Sequence, residues 1–162
     1  MLGLFQSGKK INVKAPVDGK VISLDEVPDE VFSKKMVGDG CAIIPSNDGL
    51  ISSPIDGEIL QIFKTNHAIG IRSHAGAEIL IHIGIDTVDL EGKGFERKIE
   101  SQNPVHTGDV IIQVDMDYLR SCNKPTVTPV VVTNSNVFEV INIKQGNVKK
   151  GDTIMTVKKI RR

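Results

Sequence analysis

GAEILIHIGIDTV, residues 76–88, is an aliphatic run with a histidine at its centre. At the two-residue period of a strand, Ile79, Ile81, Ile83, Ile85 and Thr87 share one face. Glu78, Leu80, His82, Gly84 and Asp86 share the other. The isoleucine face belongs to a core, so His82 points away from it. Gly84 removes a side chain beside the imidazole and leaves room for a ligand or another backbone to approach.

A second histidine precedes this run in IFKTNHAIG, residues 62–70. If that segment is extended, Phe63, Thr65, His67 and Ile69 lie on one face. The intervening SHAG, residues 73–76, reads as a turn. The two segments then form a hairpin that brings His67 beside His82.

Outward from the hairpin, turn formers such as PVDGK, PSNDG, PIDGE and TGD recur every dozen or so residues, with short β-branched runs between them. This pattern predicts an all-β, antiparallel sandwich or barrel of short strands. Helical pattern is confined to one or two very short stretches, near residues 28–33 and 116–122. Two echoes indicate internal duplication. KAPVDGKVISL from Lys14 recurs as SSPIDGEILQI from Ser52, and VHTGD from Val105 recurs as VKKGD from Val148. Each echo is first a hairpin device, because Asp-Gly and Gly-Asp pairs supply the backbone conformations of tight turns.

At 162 residues the chain suits one domain, expected over residues 13–162 behind a flexible tail of residues 1–12. Twenty Lys and Arg balance twenty Asp and Glu, and there is no Trp and a single Tyr. That balance lacks the basic footprint and stacking surfaces of a nucleic-acid binder. Cys41 and Cys122, far apart and outside any CxxC spacing, suit a reducing cytoplasm as ordinary small residues. No export signal or membrane span is legible, so a cytoplasmic protein with at most peripheral membrane contact is expected.

The residues alone leave several chemistries open for the paired imidazoles. Both rings could be hydrogen-bonded structural residues. A metal site needs a third ligand, such as Asp86 or Glu78, and the usual zinc spacings are absent. Hydrolase motifs are absent as well. A neutral imidazole can itself attack phosphorus near neutral pH, with the second ring donating a hydrogen bond to the phosphoryl oxygens.

GAEILIHIGIDTV closely resembles the phosphorylation-site signature of the glucose-type enzyme IIA components of the bacterial phosphoenolpyruvate-dependent sugar phosphotransferase system. The likeness extends through VPDEVFSKKMVGDGCAI, SPIDGEILQIFKTNHAIGI, LEGKGF and TPVVVTN, from about Val13 to Val157. The resemblance implies an antiparallel β-sandwich that passes a phosphoryl group between proteins. It implies that His82 is phosphorylated through Nε2, that His67 steadies the phosphoryl group and that Thr65 orients His67. It further implies that the Gly84 carbonyl fixes the His82 tautomer, and that Asp86 at the rim meets basic residues of partners. The implied docking patch is Val31, Phe32, Val37, Phe63, Ile69, Leu80 and Val88, with packing an equal alternative for Val37 and Val88.

The implied partners are the histidine-containing phosphocarrier protein (HPr) and the enzyme IIB domain of a sugar permease. No cofactor or metal is implied. His74 and His106 are expected to be solvated turn residues. A rival is a regulatory module that binds transporters or kinases without phosphate. A swinging-arm carrier of the biotinyl or lipoyl kind is disfavoured, because SKKMVGD lacks the order of a modified-lysine tip.

Overall fold

A computed structural model describes residues 9–46 and 49–161. Among the described residues, fourteen strands form three antiparallel sheets, with two short α-helices between strands. The chain runs β1 (Lys10–Lys14), β2 (Gly19–Ser23), α1 (Glu30–Ser33), β3 (Asp39–Pro45), β4 (Leu50–Ser52), β5 (Gly57–Ile62), β6 (Ala68–Ser73) and β7 (Glu78–His82). It continues through β8 (Phe95–Arg97), β9 (Pro104–Val105), β10 (Val110–Val114), α2 (Met116–Ser121), β11 (Thr128–Val132), β12 (Phe138–Ile143), β13 (Gly146–Val148) and β14 (Thr153–Lys159). Single 3-10 turns occupy Leu24–Glu26 and Thr87–Leu90.

The eight-stranded sheet has the order β13-β2-β3-β11-β7-β6-β5-β9, and two three-stranded sheets have the orders β1-β14-β12 and β4-β10-β8. The expected duplication explains the order of the large sheet. β2 and β5 each follow a Pro-x-Asp-Gly turn, and β13 and β9 each lead into a Gly-Asp turn, so the large sheet reads as two copies meeting between β11 and β7. The turns lock together by matching hydrogen bonds. Lys150 N donates to Asp18 Oδ1 at 2.6 Å, and Thr107 N donates to Asp56 Oδ1 at 2.7 Å. Ala15 N donates to the Asp152 carbonyl at 2.7 Å, and Ser53 N to the Asp109 carbonyl at 2.8 Å.

Both helices begin at an aspartate, whose carboxylate accepts an otherwise unpaired N–H of the first turn. Asp29 caps α1 through Val31 N, and Asp115 caps α2 through Tyr118 N. β1 begins at Lys10 and pairs Ile11 with Val157, so Lys10, Ile11 and Asn12 belong to the sheet rather than to a flexible tail. Residues 1–8 of that expected tail lie outside the described residues.

The main core fills the space between the sheets, and Ile79, Ile81 and Ile83 sit in it, fully buried. The other face of the large sheet carries a second, smaller core. There the segment from Leu24 to Val37 folds over Ala42, Val131 and Leu80, and Phe32 is sealed beneath it at 4% exposure. His82, in phase with Leu80, therefore lies on the face covered in part by this second core.

Candidate active site

β6 and β7 form the expected hairpin across the 73–76 turn, with Ala68 opposite His82. His67 lies one residue before β6, and its carbonyl accepts from Ile83 N at 2.7 Å. The two histidines thus stand at the same end of adjacent strands. Their ring centroids are 5.0 Å apart and nearly perpendicular, at 80°. Phe32 packs on the His82 ring at 4.9 Å, and Phe63 meets the His67 ring edge-on at 5.5 Å. The four rings make a continuous row. His82 is half-buried, whereas His67 is only 5% exposed.

A backbone carbonyl sets the tautomer of His82, and a hydroxyl stands against Nδ1 of His67. His82 Nδ1 lies 2.8 Å from the Gly84 carbonyl, which can only accept, so Nδ1 carries the proton and Nε2 keeps a lone pair. Gly84 reaches this position with φ +76°, and a Cβ there would lie 2.9 Å from the Pro125 carbonyl oxygen. The space left by the missing side chain is therefore filled by another backbone, one of the two outcomes the sequence allowed. Thr65 Oγ1 lies 2.5 Å from His67 Nδ1. With the hydroxyl as donor, His67 Nε2 carries the N–H.

Burial, reinforced by the neighbouring His82, pushes His67 down to about 4, so its ring is neutral at pH 7. Burial also lowers His82, partly offset by its bond to Gly84 and by the charges of Asp29 and Asp86. Asp86 is exposed at the rim, with φ +58°. Among the described residues, no cluster of three or more His, Cys, Asp or Glu is placed to hold a metal ion.

Two expectations about the patch need correction. Phe63, Thr65 and His67 do not extend β6. Residues 63–67 form a turn, with Asn66 N bonded to the Phe63 carbonyl at 2.7 Å and Asn66 at φ +60°. That turn breaks the assumed alternation, and Ile69 goes into the main core at 0% exposure, where no partner can touch it. Phe32 touches His82 from beneath the surface instead of standing exposed, because the second core encloses it. Around the rings, Val31 is 43% exposed and Val88 50%, while Val37, Phe63 and Leu80 are half-buried. Met36, absent from the expected patch, is the most exposed apolar side chain near it at 70%. His74 and His106 are exposed, as expected, and Cys41 is a buried thiol pushed up to about 12, mainly by desolvation.

The sequence reading missed three groups that support the site. Thr87, fully buried, donates from Oγ1 to the Ile83 carbonyl at 2.6 Å and fixes the bend after His82. Arg97 on β8 reaches the turn that carries Thr65 and His67. Asp29 acts on His82 through its charge. Of these, the Asn in KTNHA, tolerant of positive φ, was the available signal for the turn that Arg97 holds.

Comparison with known proteins identifies the family of the chain. Residues 11–138 match the family described as phosphoenolpyruvate-dependent sugar phosphotransferase system, EIIA 1. The chain is 46% identical to the glucose-specific EIIA component of Bacillus anthracis, covering 93% of each protein. It is 50% identical over 130 residues to the glucose-specific EIICBA component of Staphylococcus saprophyticus, where it spans only 19% of that longer protein. The solved structure of glucose permease IIA from Mycoplasma capricolum superposes with a TM-score of 0.82 at 39% identity, over 91% of this chain and 96% of that one. A protein of this fold, with this reach of sequence identity, belongs to the EIIA family of the phosphoenolpyruvate-dependent sugar phosphotransferase system and is a phosphocarrier component of it.

Proposed function

We propose that His82 is the phosphorylated residue, taking the phosphoryl group from a phosphorylated histidine-containing phosphocarrier protein and handing it to the enzyme IIB domain of a glucose-type permease. The observation that carries this assignment is the Gly84 carbonyl on His82 Nδ1, which leaves Nε2 as the free nucleophile beside a second neutral ring. In the step, the Nε2–P bond forms as the P–N bond to the donor's imidazole breaks. The Nδ1 proton stays on the His82 ring, shared with the Gly84 carbonyl, and the donor ring leaves with the proton on its own second nitrogen. His67 Nε2–H donates to a phosphoryl oxygen, with Thr65 holding Nδ1. In onward transfer the Nε2–P bond breaks as phosphorus bonds to a nucleophile of the enzyme IIB domain, and Nε2 recovers its lone pair while Nδ1 keeps its proton.

Catalysis of this kind rests on placement and charge stabilisation. Asp86 would meet basic side chains of the visiting proteins, and Val31, Val37, Phe63, Leu80 and Val88 would form the apolar collar. No described helix is long and apolar enough to cross a membrane. Exchange with the permease domain would take place at the cytoplasmic face of the membrane.

The test is to incubate the protein with labelled phosphoenolpyruvate, enzyme I and the phosphocarrier protein, then map the acid-labile phosphate. One site is expected, at His82, absent in His82→Ala. In His67→Ala, acceptance should survive better than onward transfer. Label retained by His82→Ala would overturn the assignment, and equal loss of both steps in His67→Ala would overturn the division of roles.

A further inference from the structure

The second imidazole sits on a turn that the catalytic sheet does not hold by itself. β6 begins only at Ala68, and residues 63–67 have no strand partner. Within the turn, Phe63 N donates to the Ala68 carbonyl at 2.9 Å and Asn66 N to the Phe63 carbonyl at 2.7 Å. At its far end the His67 carbonyl accepts from Ile83 N at 2.7 Å, and the fastening of Phe63 and Asn66 comes also from the other layer. β8 pairs only with β10, in the smaller sheet, and places Arg97 opposite Ile112. From there the guanidinium crosses to the turn. Nε donates to Asn66 Oδ1 at 2.9 Å and Nη2 donates to the Phe63 carbonyl at 3.4 Å. Nη1 stands 3.7 Å from Glu100 Oε2, and the side chain is 27% exposed.

From this arrangement we infer that Arg97 is a positioning residue for His67: its guanidinium fixes the Phe63–Asn66 turn and so holds the Thr65 hydroxyl in line with His67 Nδ1. The inference rests on the assignment of His67 as the assisting ring. The fork geometry matters. A guanidinium offers Nε and Nη donors at a fixed angle, which suits an amide oxygen and a neighbouring carbonyl together, and an ammonium cannot span both. Asn66 serves twice, as acceptor for Nε and as the residue holding positive φ. Thr65 lies between the two anchored residues, so loss of the anchor frees its hydroxyl to leave the His67 ring. The neutral ring then samples both tautomers, and only the one with Nε2–H donates to a phosphoryl oxygen.

Three variants test this. Arg97→Met keeps the stem and removes the fork. Arg97→Lys keeps the charge. Asn66→Gly keeps the positive φ and removes the acceptor. Long-range ¹H–¹⁵N spectra of the ring nitrogens report each tautomer without any phosphorylation, and His82 is the internal control. In Arg97→Met and Asn66→Gly, His67 signals should move to tautomer-averaged values while His82 signals stay put. Single-turnover transfer to the enzyme IIB domain should fall by roughly tenfold, as for a misplaced catalytic group, with acceptance changed by less than about twofold. Arg97→Lys should recover only part of the loss.

If His67 signals match the parent in a folded Arg97→Met protein, the inference is wrong, whatever happens to Tm. It is equally wrong if Arg97→Lys restores the parent spectrum. Phosphate mapping to a residue other than His82 would instead overturn the underlying assignment and leave the spectral result standing.

Discussion

Adding one carbon at Gly84 should damage stability and chemistry together, by amounts the geometry sets. In Gly84→Ala the new Cβ would lie 2.6 Å from Thr87 Cγ2, 2.9 Å from the Pro125 oxygen and 3.4 Å from Leu119 Cδ2. Thr87 is fully buried, and the Pro125 oxygen already accepts from Ile85 N at 3.0 Å, so neither neighbour is free to move. An alanine at φ +76° costs about 1–2 kcal/mol in backbone strain. Overpacking of this kind adds about 1–3 kcal/mol. The sum corresponds to a fall in Tm of roughly 4–20 °C for a chain of this size. Relief comes by displacing residues 83–85, which pulls the Gly84 carbonyl from His82 Nδ1. A hydrogen bond of net worth about 0.5–1.5 kcal/mol is then lost. That is roughly a two- to tenfold slower phosphoryl uptake.

Thermal unfolding, ring-nitrogen NMR and initial uptake rates measure the three effects. Gly151→Ala is the control, because Gly151 has φ +94° with no atom within 4 Å of its added carbon. It should show the backbone cost alone. A Gly84→Ala protein that unfolds at the parent Tm and keeps a protonated Nδ1 on His82 would refute the reasoning.

Two further outcomes are expected. Since His67 is lowered from 6.5 to about 4, the unfolded chain takes up a proton between these values that the folded ring refuses. Stability should therefore fall as pH drops from 6.5 towards 4, and denaturant titrations of His67→Gln should show a shallower fall; parallel curves would contradict the buried neutral ring. Val31→Ser and Val88→Ser alter exposed side chains and should leave Tm nearly unchanged. Each should lower the second-order rate of phosphoryl exchange with the phosphocarrier protein by roughly fivefold if the collar carries docking energy; unchanged rates would remove these residues from the interface.

The sequence made the β7 pattern legible because a strand edge-on to a core must alternate, and Ile79 and Ile81 leave no choice of face. The duplicated turns were equally readable, since each is fixed by local Asp and Gly chemistry. The 63–67 turn was not. KTN contains neither Gly nor Pro, and its bend depends on an arginine about thirty residues away that local pattern cannot see. Ile69 was misplaced for the same reason, because alternation counted through a turn loses its phase. The resemblance implies a docking role for Phe32, and nothing in the neighbouring residues marks it as buried. Its burial follows from the second core on the outer face of the sheet, a tertiary event invisible in the flanking sequence.

In the large sheet, β7 and β11 occupy the middle, with three strands beyond them on either side. The proposed phosphoryl acceptor therefore rides on the innermost ribbon of the molecule and not on a surface loop. Amide hydrogens of Ile79–Ile81 should be among the last to exchange with deuterium, since opening them requires unzipping the sheet at its centre. Such mounting means that an arriving protein meets a nucleophile already in place, with almost no entropy left to lose on contact, which suits brief and repeated encounters.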